Sequence, residues 1–208
     1  GPLFFVFTAG MGSGQAYLDA VPGHQVQLGL AALAVFAMGV AGLVIIGAMY
    51  PVLRAQSEGL AAGALLFRGV AEGGAFLEAA ITLATVSLGL AALGSTAEHQ
   101  LVLLSTLLDL RDQVALVATT GFGIAALQYC WVFFSSRLLP RWLAGWGLAG
   151  AVIWLAGSAW AFAVHAPDAG LLMAPLALNE LVMAVWLIAR GFSSPSAARV
   201  PAVALAAA

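Results

Sequence analysis

Apolar residues run along this chain in long unbroken stretches, separated by short polar or proline-bearing turns. The stretches fall at about residues 3–10, 27–53, 60–93, 113–135, 142–164 and 170–190. Strands of an outer-membrane barrel would alternate apolar and polar residues over roughly ten positions. Here the runs are continuous and, after the first, roughly twenty residues or longer, the length of a helix crossing a hydrocarbon core. The pattern predicts an all-α fold: a polytopic transmembrane bundle of about six helices, the first short or truncated. Connections such as SSRLLPR (135–141) and HAPDAG (165–170) are too short to separate domains. Residues 1–192 therefore read as one domain, and the small, proline-punctuated tail over 193–208 is expected to be poorly ordered.

Composition agrees with the pattern. Of the 208 residues 63% are hydrophobic and 8% charged, against about 25% charged in a soluble domain. Such a chain cannot cover a water-facing surface, and its partner is the lipid bilayer. A net charge of −2 gives no footprint for nucleic acid. All 7 basic residues are Arg, which points to a GC-rich bacterial genome and, for a helical protein, to the inner (cytoplasmic) membrane. Cys130 is the single cysteine and reads as a small packed hydrophobe. The opening Gly1-Pro2 followed by LFFVFTAG lacks a basic segment. The expectation is a cleavage scar or a shortened first helix, not an intact signal peptide. Arg54, Arg137, Arg141, Arg190 and Arg199 fall on one side of a six-pass topology, with Arg111 on the other. The positive-inside rule then places both termini in the cytoplasm.

Ionisable residues inside apolar helices are functional candidates by default. Arg68 and Glu72 lie four apart and share a helix face. Counted inward at 1.5 Å per residue, Arg68 is about 12 Å and Glu72 about 18 Å deep; Glu180, entered from the other side, is about 14 Å deep. These depths predict a midplane cluster of Arg68, Glu72 and Glu180, with Asn179 adjacent, formed where the third and sixth segments pack together. One arginine cannot neutralise two carboxylates. One glutamate must carry a proton, or a cation, ligand or second chain must complete the set. The alternative is a structural pair that fixes helix register.

Secondary candidates lie toward the other face. Glu78 is expected to meet Arg111, and that pair reads as structural. Asp109 and Asp112, three apart, sit where the fourth segment would begin, suited to helix capping, acid–base work or a hard cation. Gln128 and Tyr129 suit interhelical hydrogen bonds or a polar path. His24, His99 and His165 are expected in outward loops. They are weak metal candidates, because no pair has metal-motif spacing, and no cofactor is expected. Nor is there a Gly-x-Ser-x-Gly elbow to mark a nucleophile. The glycines within the helices read as close-packing positions.

Taken together, MYPVLR, LLFRGVAE, LLDLRDQ, SSRLLPRWLAGWGLAG and LNELVMAVWLIARGF resemble a bacterial family catalogued as domain of unknown function 4386. The resemblance covers about residues 30–192. It implies a six-helix membrane protein and picks out Tyr50-Pro51, Phe67-Arg68 with Glu72, and Asp109 with Asp112. It also picks out the turn Ser136 to Arg141, and Glu180 with Trp186, Gly191 and Phe192. It implies no activity. Three functional readings follow. The first is binding or translocation of a small substrate or proton through the polar cluster. The second is a non-catalytic accessory subunit of a membrane complex. The third is a membrane enzyme acting on a lipid-like substrate at the outer face. So few helices are expected to pair as a homodimer or join a larger membrane complex.

Overall fold

A computed structural model describes residues 15–91, 98–165 and 170–193. Among the described residues there are five α-helices and one 3-10 turn. They are α1 (Gln15–Arg54), α2 (Glu58–Ala91), α3 (Glu98–Ser136), α4 (Arg141–Val164) and α5 (Ala174–Arg190), with the 3-10 turn Gly170–Met173 leading into α5. The short segment expected at 3–10 lies outside the described residues, as do Arg199 and most of the tail.

Each helix packs its backbone mainly against its neighbours in the chain: α1 on α2, α2 on α3, α3 on α4 and α4 on α5. The order is a folded row rather than a closed ring. Five helices running alternately up and down carry residue 15 and residue 193 to opposite ends of the bundle. At one end Tyr17, Leu18, Val21 and Leu28 pack with Leu104; at the other Leu53, Phe133, Leu138 and Leu139 form a core that Phe192 joins. The expectation that both chain ends share a face has no support in these five helices.

The burial pattern is that of a protein solvated by lipid. The buried face of α2 is Ala61, Ala64, Ala71, Ala75 and Ala79 with Glu72, Glu78, Thr82 and Thr85. Its exposed face is Leu66, Phe67, Val70, Leu77 and Leu83. Large apolar side chains point out and small or polar ones point in, because lipid tails give no reason to bury leucine and close helix approach requires small residues. Glycine makes several of these approaches. At Gly150 a β-carbon would fall 3.0 Å from the Leu176 backbone, so α4 and α5 touch through their main chains. Four segments, α1, α2, α4 and Leu171–Arg190, are individually long and apolar enough to cross a membrane. Trp142 and Trp160, at the two ends of α4, are exposed, where interfacial indoles belong.

The turn between α3 and α4 is set by local chemistry. Arg137 takes a left-handed conformation (φ 57°) that ends α3, Leu138 and Leu139 bury themselves, and Pro140 (φ −53°) precedes the first turn of α4. Proline's fixed φ is already close to helical, so it suits a helix start.

Two boundaries differ from the sequence reading. The helix expected to begin near residue 113 begins at Glu98, because LVLLSTLL continues the helical pattern through residues 101–108. Asp109 and Asp112 are therefore inside α3, not at its start, and cannot cap it. Likewise α1 begins at Gln15 rather than near residue 27.

Candidate functional site

The structure brings Arg68, Glu72 and Glu180 together on the inner side of the row. Arg68 Nε lies 2.5 Å from Glu72 Oε1, and Arg68 Nη1 lies 3.9 Å from Glu180 Oε1. The Nε–H makes no aligned hydrogen bond, so the shorter contact is an ion pair held by proximity. Tyr129 of α3 donates its hydroxyl to Glu180 Oε1. The Phe122 ring, also from α3, covers the Arg68 guanidinium, whose central carbon stands 4.5 Å from the ring centroid. Such a cation–π contact strengthens when desolvated.

Local structure explains how each group arrives. Arg68 and Glu72 share one face of α2 through their spacing of four. Gly42 of α1 makes room for the carboxylate, since a β-carbon there would collide with Glu72. Gly121 of α3 lets that helix close on the Phe67 carbonyl and the Ala71 amide, which brings Phe122 to Arg68. Gln128, one residue before Tyr129, fits over Gly63 of α2, and its side-chain oxygen is buried without a hydrogen-bond partner.

Depth follows from helix rise. Arg68 and Glu72 are about 15 and 21 Å from the start of α2, and Glu180 is about 15 Å from the end of α5, at 1.5 Å per residue. All are counted from the same end of the bundle, so the three groups lie at similar heights along it. The side chain of Glu72 is 7% exposed, that of Arg68 15% and that of Glu180 28%. The triad is buried deeply enough to need pairing, yet Glu180 remains reachable.

Helix packing differs from the expectation here. The third and sixth apolar segments, now α2 and α5, do not pack: no Cα of one lies within 8 Å of a Cα of the other. The long Arg68 side chain spans the gap. Asn179 also faces away from the triad. Its amide nitrogen donates to the Leu143 carbonyl of α4 at 2.9 Å, since successive residues on a helix point about 100° apart. Tyr129, expected with Gln128 to line a polar path or to bond a neighbouring helix, is the group whose link to Glu180 the sequence does not single out. A phenol beside Gln128 in the apolar second half of α3 is its visible signal.

The secondary candidates lie elsewhere. Arg111 is buried and pairs with its own neighbour Asp112, Nη2 to Oδ1 at 2.5 Å and Nε to Oδ1 at 3.1 Å. Glu78 is buried on α2, and its carbonyl accepts the Thr82 hydroxyl. Asp109 is exposed on α3. His24 lies within α1 and bonds the Ala20 carbonyl through Nδ1 at 2.9 Å. His99 is in the first turn of α3, and His165 is the left-handed cap of α4. Helices that extend past the expected loops account for this placement. Among the described residues no group of three or more His, Cys, Asp or Glu is arranged to hold a metal ion. Two apolar surface grooves, of about 430 and 380 Å³, lie between α2 and α3 and between α1 and α2. Neither is lined by the triad.

The motifs singled out in the sequence thus meet in space: Phe67-Arg68 with Glu72 on α2, and Glu180 on α5. A family model described as domain of unknown function (DUF4386) matches residues 3–191. The chain belongs to the DUF4386 family. It is a multi-pass membrane protein of a bacterial family, and its apolar exterior and buried triad are this DUF4386 chain's own realisation of that architecture. No curated protein and no solved structure matches it.

Proposed function

We propose that this protein binds a small cation, in the simplest case a proton, at Glu72 and Glu180, and passes it through the helix bundle. The observation that carries the reading is the shared guanidinium. Arg68 stands between two carboxylates, close to one and 3.9 Å from the other, so the triad holds one negative charge too many. Even the milder scales assign about 2.5–3.5 kcal/mol to a charged side chain at the centre of a membrane helix. An uncompensated carboxylate there is a strong attractor for a cation. Arg68 is the fixed counter-ion, and Tyr129 is a proton donor that touches Glu180.

The test is proton flux in proteoliposomes, comparing the wild type with Glu72→Gln and Glu180→Gln. The wild type is expected to exceed protein-free vesicles, and each substitution is expected to remove most of the excess. Background flux in all three would sink the reading for protons; counter-flow with monovalent metal cations would then test the wider cation class.

The open row of helices favours a second reading. Leu178, Leu181, Val185 and Ile188 of α5 are all exposed, which suits an accessory subunit that covers this face with another chain, as a homodimer or in a larger membrane complex. We place the chain in the inner membrane, with the end bearing Arg54, Arg137, Arg141 and Arg190 in the cytoplasm. Helical spans and the positive-inside rule support that placement.

A further inference from the structure

We propose that α5 is a gate latched by Glu180, closed while its carboxylate holds Arg68 and Tyr129 and released when that carboxylate is neutralised. The gate rests on the reading that Glu180 takes up the cation.

Apart from Leu176 and Met183 in the main apolar core, with Val182, Trp186 and Leu187 packed against it, α5 is held mainly by its seat on α4. Its backbone approaches only α4 and the 3-10 turn; no Cα of α5 lies within 8 Å of α1, α2 or α3. Across to α2 and α3, the middle of the helix is tied by Arg68–Glu180 and Tyr129–Glu180. Both ties end on the same oxygen, Glu180 Oε1, so a single event breaks both. A carboxylate that gains a proton or a bound cation loses its attraction for the guanidinium. The charge-assisted hydrogen bond from the phenol falls to about half its strength at the same moment.

The two ends of α5 are built as pivots. At the lower end Gly191 is left-handed (φ 66°), the Ser193 amide bonds the Leu138 carbonyl at 2.9 Å, and Phe192 packs on Phe133 with centroids 5.6 Å apart. At the upper end the 3-10 turn Gly170–Met173 joins directly. Along α4, Gly147 leaves room for the Asn179 side chain and Gly150 for the Leu176 backbone, and Asn179 donates to the Leu143 carbonyl, so α5 is seated on α4. Hinged ends, a seat on α4 about which the helix can tilt, and a charged catch on the side facing α2 and α3 make a helix with two positions, the element a switch requires.

The groups that face Glu180 set the sign of its response. They are Arg68 and Glu72 from α2, and Tyr129 and Cys130 from α3. On α4 the only charged residue is Arg141 at its first position, and α5 itself adds only Arg190 at its last. Acidification acts on both glutamates, so a Glu72→Gln background isolates the response of Glu180.

Nitroxide labels on Leu66→Cys of α2 and Val185→Cys of α5, both exposed positions, report the gap by pulsed electron–electron resonance in nanodiscs. Cys130 is buried and stays unlabelled. Glu180→Gln is expected to lengthen the distance beyond the about 1–2 Å of ordinary helix adjustment, and Arg68→Gln to do the same from the other side of the catch. Glu180→Asp, which keeps the charge, is expected to retain the wild-type distance and shows that opening is not unfolding. Acidifying the Glu72→Gln protein should reproduce the open distance. An unchanged distance in Glu180→Gln, or opening in Glu180→Gln but not in Arg68→Gln, would overturn the latch. If flux is lost in Glu180→Gln while the distance stays fixed, the gate falls and cation uptake stands. If the distance moves but wild-type flux is at background, the uptake reading falls and the electrostatic catch remains.

Discussion

At the scale of single residues, the triad depends on what is missing from its neighbours as much as on its own charges. Gly42 is the clearest case, because any side chain there meets the Glu72 carboxylate. Gly42→Ala is expected to destabilise the protein by about 1–3 kcal/mol, the usual range for overpacking, read as a lower midpoint in thermal unfolding in detergent. Combining it with Glu72→Ala should cost less than the sum of the two, because the clash disappears with the carboxylate; strict additivity would show that the two residues do not interact. Tyr129→Phe removes the hydroxyl that bonds Glu180 and keeps the ring that packs 5.9 Å from Phe133. It is expected to lower proton flux while leaving the thermal midpoint close to wild type. The charged members of this site were visible in the sequence, because an ionisable residue in an apolar run stands out on cost alone. Gly42 was not, since the chain carries 24 glycines and only the neighbouring helix tells one from another.

At the scale of elements, the two faces of α4 do different work. Trp154 donates its indole N–H to the Thr119 carbonyl of α3 at 2.7 Å, while Gly147 and Gly150 receive α5. Gly150→Ala places a methyl 3.0 Å from the Leu176 backbone, which cannot rotate aside. Gly47→Ala adds the same methyl to open space on α1. The first is expected to loosen α5 and lower the thermal midpoint. The second is expected to be neutral or to stabilise by up to about 1 kcal/mol through helix propensity. Equal effects would refute the main-chain contact between α4 and α5. Helix ends were the least legible elements in the sequence. The fourth apolar run starts near residue 113 by composition, yet α3 starts at Glu98. Leu101 and Leu108 pack against the Tyr17 and Leu104 core, and this tertiary burial holds in helix the short apolar run LVLLSTLL, which polar residues flank on both sides. That extension moved Asp109 and Asp112 from a supposed cap into a helix interior and took His99 out of a loop.

At the scale of the whole molecule, the five described helices form a folded row with arginines gathered at one end. Arg141 and Arg190 there stand over aromatic rings, at 5.5 Å from Phe134 and 5.2 Å from Trp186, an arrangement that suits a membrane interface. A cysteine placed at Gln56 is expected to resist a membrane-impermeant maleimide in intact cells and to react once the membrane is opened. A cysteine at Val26, exposed near the opposite end, is expected to react in intact cells; the reverse pattern would invert the topology. The sequence by itself determined the solvent, the helical class and the positions of the buried charges. Each of these follows from local cost: an apolar run long enough for lipid, and an ionisable group too expensive to leave there unpaired. Only the tertiary structure decided which helices touch, that α2 and α5 are joined by one arginine side chain rather than by packing, and that Tyr129 bonds the triad through Glu180. Depth along a helix is a sum over residues and can be counted from sequence. Which way a side chain faces, and across what gap, depends on where the other helices lie.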